Sequence, residues 1–302
     1  MLDSGGTEMA APHTEALARD ISYAASAGSR VGRALIRVVE NATGRPRLIR
    51  RAAGYGAEVA AGRDFWSVMT ARYGLTPEVF HGALEDIPRD GPLVVVANHP
   101  FGILDGLMLG HVLARRRDDF RILAHEVFRR AGALERVILP IAFDGSRAAQ
   151  ARNLRTRAQA LQHLADGGAI GIFPGGTVAT AARPFGRPLD PVWRGFTARL
   201  VARGGATVVP MWFDGHNSRL FQIASHLNTT LRMSLLLREF AARVDRPVRM
   251  AIGTPIPPAD LAPLAGDAKA MMDFLRAATY RLSPERIDPR LLGHEFEAHH
   301  RR

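Results

Sequence analysis

Six continuous apolar runs of strand length constrain the fold of this chain more than any other feature. They are LVVVAN at 93–98, FRILAH at 120–125, VILPIAF at 137–143, AIGIFP at 169–174, TVVPMWF at 207–213 and VRMAIG at 248–253. A strand with one face in water alternates apolar and polar residues. A strand that is apolar throughout must be covered on both faces, which is the condition of a largely parallel sheet wrapped by helices. The intervening stretches 106–116, 147–166, 192–203 and 228–243 repeat their apolar residues at helical spacing and supply the cover. The fold class expected is therefore α/β, over residues 76–302. Pro210 interrupts the fifth run. Because proline donates no ladder hydrogen bond, it predicts an edge strand or a bulge there.

Ahead of the sheet, residues 1–14 are expected to be disordered, and 15–75 read as a helical extension. Its three short helical patterns break at Gly44-Arg45-Pro46 and at Gly54-Tyr55-Gly56. In the first, Val31, Leu35, Val38, Val39 and Ala42 share one side of the wheel, and Arg30, Arg33 and Arg37 the other. Arg45, Arg47, Arg50 and Arg51 follow, against the single acid Glu40. Such a segment suits two situations equally: lying on an anionic membrane, or packing on the core with a solvated arginine face.

The net charge of +11 over 302 residues favours anionic partners: nucleic acid, anionic lipid, acidic carriers or phosphorylated cofactors. Lys269 is the lone lysine, so the charge is arginine throughout and one arginine carries little weight by itself. Aromatic residues are 7% of the chain and do not interleave with the arginines, so no base-stacking surface and no nucleic-acid partner are expected. The absence of cysteine excludes disulfides, thiolate metal sites and a cysteine nucleophile, and it fits a reducing compartment. The histidines lack metal-ligand spacing, so no metal is expected. No run of about 18 apolar residues predicts a spanning helix. The N-terminus carries acids where a signal peptide would carry positive charge.

In open α/β sheets, ligands bind beyond the carboxyl ends of the strands. The run at 93–98 ends there in Asn98-His99-Pro100, bends at Gly102 and reaches Asp105 near the start of a helix. Asp105 can return to a ring nitrogen of His99, fix its tautomer and raise the basicity of the other nitrogen, making His99 a general base. The alternative is a histidine that ends a strand and an aspartate that caps a helix. A second rim segment is Phe173-Pro174-Gly175-Gly176-Thr177. Its backbone N–H groups can face an anion or an oxyanion, or the glycines can simply make a tight turn. It lacks the Gly-Lys-Ser/Thr ending of a nucleotide P-loop. A third holds Phe143, the turn signal Asp144-Gly145, and Arg147, which can bind phosphate or carboxylate or be one more surface arginine. His216, after the fifth run, reads as a loop residue. No Gly-x-Ser-x-Gly elbow occurs, and His125-Glu126 lacks the second histidine of a zinc-protease helix.

NHPFGILD (98–105), FPGGT (173–177) and VVPM (208–211), in that order, resemble the blocks of the lysophospholipid acyltransferase superfamily over roughly 92–257. Its best-known members are 1-acylglycerol-3-phosphate acyltransferases. The NHPFG form is similar to a bacterial hemolysin-like subgroup that includes lyso-aminolipid O-acyltransferases. The resemblance implies that His99 deprotonates a lysolipid hydroxyl and that Asp105 orients His99. It also implies that Asn98, Gly102, Phe173, Pro174, Gly175, Gly176 and Thr177, with Arg147 from the second block, surround the substrates. It implies no cofactor, with acyl-CoA or acyl carrier protein as co-substrate. The acceptor would be lysophosphatidate or a lyso-aminolipid of the ornithine-lipid type. The protein would sit peripherally at an anionic membrane, on the cytoplasmic face of the inner membrane, docked by the N-terminal helices and by 220–240. Three departures stand out. The spacer from His99 to Asp105 is one residue longer than the family's, which reads as a bulge at Gly102. Gly175 replaces the third block's glutamate. Phe143 and Arg147 are one position further apart than the second block's pair. Two alternatives stay open: hydrolysis by the same base, as a lipase or thioesterase, and a non-catalytic basic protein that binds membrane or nucleic acid.

Overall fold

A computed structural model describes residues 22–125, 134–141 and 146–296. The expectations at 1–14, Glu126, Phe143 and Asp144-Gly145 lie outside these residues. The strands are β1 (Thr76–His81), β2 (Leu93–Ala97), β3 (Phe120–His125), β4 (Ile138–Ile141), β5 (Ala169–Ile172), β6 (Thr180–Ala181), β7 (Pro188–Leu189), β8 (Thr207–Phe213) and β9 (Pro247–Ile252). Seven form one sheet in the order β1-β9-β8-β2-β5-β3-β4, and β6 and β7 pair separately as a hairpin. Within the large sheet only β8 and β9 run antiparallel. All six apolar runs are strands of this sheet.

The run that becomes β2 shows why. Leu93, Val95 and Ala97 enter a core shared with Trp66, Met108 and Leu109, whereas Val94 and Val96 enter a second core with Leu200, Met271 and Leu275. Every position is therefore buried, at about 1.5–3 kcal/mol per large aliphatic side chain, and alternation has no place to show. The helices on the two faces are α1 (Arg30–Thr43), α2 (Arg45–Ala52), α3 (Tyr55–Ala60), α4 (Phe65–Arg72), α5 (Ile103–Ala114), α6 (Arg147–Ala165), α7 (Gly195–Gly204), α8 (Arg219–Leu227), α9 (Thr229–Ala241), α10 (Pro258–Leu261) and α11 (Ala268–Tyr280). None of the described helices is long and apolar enough to cross a membrane.

Pro210 corrects one expectation. Its strand is not an edge: β8 lies between β2 and β9, and Val96 faces Pro210 across the parallel ladder. The bulge half of the reading holds. From the Met211–Ile252 pair to the Val208–Ile256 bridge, the β9 side carries one residue more than β8. Pro210 accepts from Gly253 N–H at 2.8 Å, so its donor-less nitrogen faces this irregular stretch and costs no ladder bond.

The extension is two things. Leu48, Ala52, Tyr55, Trp66, Val68, Met69 and Tyr73 belong to the same core as β2, so α2 to α4 are part of the domain's interior. The third helical pattern splits into α3 and α4 because the Asp64 carboxylate accepts from Ser67 N–H at 2.7 Å and caps a new helix. The helix α1 packs on the core, but through another stripe than the apolar side of its wheel. Its buried residues are Ile36 and Glu40, with Val39 partly covered, while Val31, Leu35 and Val38 are 80%, 43% and 64% exposed. Spaced at i, i+4 and i+7, they make an apolar ridge in solvent between the packed stripe and the arginines. Glu40 holds the chain start by accepting from Ser22 Oγ at 2.6 Å and Tyr23 N–H at 2.8 Å. Burial raises its pKa.

Candidate active site

The site is built where β2 leaves the sheet. Asn98 is buried, and both ends of its amide grip one residue: Nδ2 donates to Phe213 O at 2.9 Å, and Oδ1 accepts from Phe213 N–H at 2.7 Å. This clamp ties the end of β2 to the end of β8, so Asn98 fixes the loop and its amide is occupied within the fold. His99 follows, partly exposed, with its ring stacked on Phe173 at 4.1 Å between centroids. Its backbone is held from both sides, because N–H donates to Asp190 Oδ1 at 3.1 Å and C=O accepts from Ala179 N–H at 2.7 Å.

Gly102 turns the chain with φ +91 and ψ −108, a conformation closed to most side chains, at the position where the longer spacer predicts a bulge. A Cβ there would also meet Val178 Cγ2 at 3.1 Å. α5 starts immediately after, and Asp105 in its first turn reaches back. Asp105 Oδ2 accepts from Phe101 N–H at 2.8 Å and Gly102 N–H at 2.9 Å, and lies 3.0 Å from His99 Nδ1. The two are close but not aligned as a hydrogen bond, the carboxylate oxygen standing off the N–H axis of the ring. Asp105 is fully buried, and the two backbone donors hold it in place whatever the histidine does. With Nδ1 facing Asp105, Nε2 is the nitrogen left for a substrate proton.

The Gly175-Gly176 loop lies beside His99 through Phe173. Gly176 N–H donates to Phe173 O at 3.0 Å, which closes the turn with Gly176 at φ +69. That amide is thus spent within the turn. The Gly175 and Thr177 amides have no hydrogen-bond acceptor among the described residues, and they are the donors the loop can offer an oxyanion. Gly175 is buried against Asp190: a Cβ on it would lie 3.3 Å from Asp190 Cβ.

Arg147 is placed elsewhere. It opens α6, exposed, after the edge strand β4, and β5 and β3 lie between that strand and β2. His216 is an exposed loop residue with Nδ1 2.9 Å from Asn217 O.

Sequence reasoning missed two residues. Asp190 is buried and accepts from His99 N–H and, through its second oxygen, from Trp193 Nε1 at 3.0 Å. Burial raises its pKa, opposed by nearby Arg276 and by these hydrogen bonds. Its flanking prolines and Trp193 are the only local signal in the sequence. Arg232 comes from α9 and is also buried. It donates to Thr180 Oγ1 (2.6 Å), Ser225 Oγ (2.9 Å), Thr177 Oγ1 (3.1 Å) and Val178 O (2.8 Å), and it forms no ion pair with a described residue. Burial pushes its guanidinium down to about 9, which leaves a cation beneath the Thr177 loop at neutral pH. No described cluster of histidine and carboxylate has the makings of a metal site.

The rim of β2 thus presents a histidine backed by a buried, backbone-anchored carboxylate, with free loop amides alongside. Residues 78–214 match the Acyltransferase family. The matched segment is a little under half of the chain. It contains the His99–Asp105 pair and the Gly175-Gly176 loop. Two curated relatives carry the name lyso-glycine lipid O-acyltransferase. The one from Phocaeicola vulgatus is 28% identical over 181 residues, covering 58% of this chain and 62% of its own length. The one from Bacteroides thetaiotaomicron is 26% identical over 181 residues, covering 58% and 64%. The match spans less than two thirds of either relative. Among solved structures, the 1-acyl-sn-glycerophosphate acyltransferase PlsC from Thermotoga maritima aligns with a TM-score of 0.45 and 16% identity, covering 86% of this chain and 83% of its own.

Proposed function

We propose that the protein is a lipid O-acyltransferase that moves a fatty acyl chain from a thioester, acyl-CoA or acyl carrier protein, to the free hydroxyl of a lysolipid. The observation that carries this reading is the 3.0 Å approach of His99 Nδ1 to the buried Asp105 inside the family-matched segment. His99 Nε2 takes the acceptor's hydroxyl proton as that oxygen attacks the thioester carbonyl. The carbonyl oxygen gains negative charge near the Gly175 and Thr177 amides. The C–S bond then breaks, the ester C–O bond remains, and the proton passes from Nε2 to the departing thiolate. Asp105 faces the imidazolium that exists between these two transfers. The relatives' names favour a lyso-aminolipid, a glycine lipid, over lysophosphatidate as acceptor.

The acceptor resides in a bilayer, and the ridge of Val31, Leu35 and Val38 flanked by Arg30, Arg33 and Arg37 suits docking on an anionic face. Leu227 and Leu231, exposed on α8 and α9, extend the apolar surface within the 220–240 segment. We place the protein peripherally on the cytoplasmic face of the inner membrane, where both donors are supplied.

The test is thiol release from acyl-CoA with and without lyso-glycine lipid or lysophosphatidate, alongside detection of the diacyl product. Release should depend on acceptor, and His99→Ala should lower it on the order of 10²–10⁴-fold. Fatty acid released without acceptor would identify a hydrolase instead, and an unaffected His99→Ala variant would remove the general base.

A further inference from the structure

A cleft of about 310 Å³ opens on the side of β2 opposite Phe173, between the His99 loop and the turn that leads from α9 into β9. Its apolar floor is Phe101 and Leu104, and its charged wall is Arg243, Arg246, Arg249 and Asp214. Arg249 is already served: it donates to Asp214 at 2.6 Å and lies 3.5 Å from Glu78. Arg243 lies over the Phe101 ring at 4.2 Å and donates to His216 O at 3.2 Å, which fixes its direction but not its charge. Arg246 is exposed and has neither hydrogen bond nor ion pair among the described residues. The acid next to it in sequence, Asp245, is taken by Arg47 and Arg51 of α2. Two guanidiniums thus face one cleft with no ion-pair partner among the described residues, and burial, with Arg246 alongside, lowers the preference of Arg243 for charge. Such a pair is relieved by an anion that takes both forks, and a phosphate oxygen array does so.

We propose that this cleft holds the phosphate ester of the acyl donor, the group that joins a pantetheine arm to coenzyme A or to a carrier protein. The proposal rests on the acyltransferase reading. Its direction comes from the fold. On the docking proposed above, the lipid side of the rim is the one that carries α1, where Val178 of the Thr177 loop packs with Ile36 of α1 and with Phe221 and Leu235. A water-soluble donor then approaches over β8 and β9, its phosphate on Arg243 and Arg246 and its apolar arm along Phe101 and Leu104 toward His99.

Arg246→Ala tests this, because an exposed side chain without partners can be removed without harm to folding. KM is measured for an acyl-CoA, for the same acyl group on N-acetylcysteamine (a thioester with no phosphate), and for the acceptor. The expected result is a rise of about tenfold in KM for acyl-CoA alone, with kcat at saturation unchanged and Arg246→Lys, which keeps the charge but not the fork, recovering only part of the loss. An equal rise for the phosphate-free thioester, or none for either, overturns the proposal. A rise confined to a phosphate-bearing acceptor assigns the cleft to the lipid headgroup and also overturns it. Calorimetric titration with 4′-phosphopantetheine, with pantetheine as control, separates the two readings. If no donor is turned over, acyl transfer fails, yet the titration still decides the cleft. Binding by the wild type that weakens in Arg246→Ala sustains it, and equal binding, or none, refutes it.

Discussion

Replacing Asp105 by asparagine isolates the charge of the buried carboxylate from its position. One oxygen, Oδ2, receives Phe101 N–H, Gly102 N–H and the approach of His99 Nδ1, while Oδ1 is buried with no partner among the described residues. An asparagine can therefore set its carbonyl oxygen where Oδ2 stands, keeping both backbone bonds and the Nδ1–H tautomer. The flipped amide would push N–H against two backbone donors and is disfavoured. What is lost is the negative charge opposite the imidazolium formed during proton transfer. At the 3.0 Å separation two unit charges interact by roughly 5 kcal/mol at an effective dielectric near 20. The amide dipole returns part of this, leaving about 2–3 kcal/mol, or on the order of 10²-fold in kcat. The new NH₂ sits where Oδ1 was, buried and unpaired, and should cost about 1–3 kcal/mol of stability. Asp105→Ala should be worse in both respects, because it also orphans the two amides. The assay is thiol release at saturating substrates, with a urea midpoint on each variant. Wild-type turnover in Asp105→Asn would refute the charge role. Asparagine and alanine variants equally inactive at equal stability would show that the structure assigns the wrong oxygen to the histidine.

The triple change Val31→Ser, Leu35→Ser, Val38→Ser alters only exposed positions, so its urea midpoint should stay close to wild type while sedimentation with anionic vesicles falls; unchanged sedimentation would end the docking role. Asp190→Asn must set its NH₂ against either His99 N–H or Trp193 Nε1–H, at about 1–3 kcal/mol of stability by denaturant. The folded state holds the Asp190 proton more tightly than the unfolded chain. The wild type's advantage over Asp190→Asn should therefore shrink as pH rises from the ordinary aspartate range through the raised folded value, and an advantage that grows there would reverse the sign. Gly175→Glu, which restores the family's acid, should lower both stability and kcat, because its Cβ would press on Asp190; enhanced turnover would contradict that packing.

How legible each part was follows from how local its cause is. The strands of the sheet interior announce themselves because burial on both faces leaves only apolar residues, as at Val94 and Val95. β1 pairs with β9 at the sheet's edge, and its Thr76, Pro77 and Glu78 are exposed, so no apolar run forms and the strand passes unnoticed. Pro210 misleads in the opposite way. Its missing donor matters only if a regular partner waits for it, and the extra residue opposite removes the partner, which no local pattern could disclose. In α1 the wheel shows an apolar side and an arginine side, but it cannot show that the packed stripe includes an acid, Glu40, whose partners lie at Ser22 and Tyr23.

The site divides along the same line. His99 and Asp105 are joined by a short loop and a helix start, so spacing alone places them together. Asp190 reaches His99 from 91 positions away, and Arg232 reaches Thr177 from 55. Neither stands in a motif, and in an arginine-rich chain Arg232 is one of many. Yet Asp190 explains the departure that the sequence left unaccounted for. Gly175 stands where the family carries glutamate, and the space a side chain there would enter is filled by Asp190, whose carboxylate secures the histidine's backbone. The glycine and the aspartate are thus one arrangement. A small residue at 175 lets an acid from a distant segment come within hydrogen-bonding distance of the His99 loop, and the loop then carries Asn98, His99 and Asp105 anchored from β8, from the 190 segment and from α5.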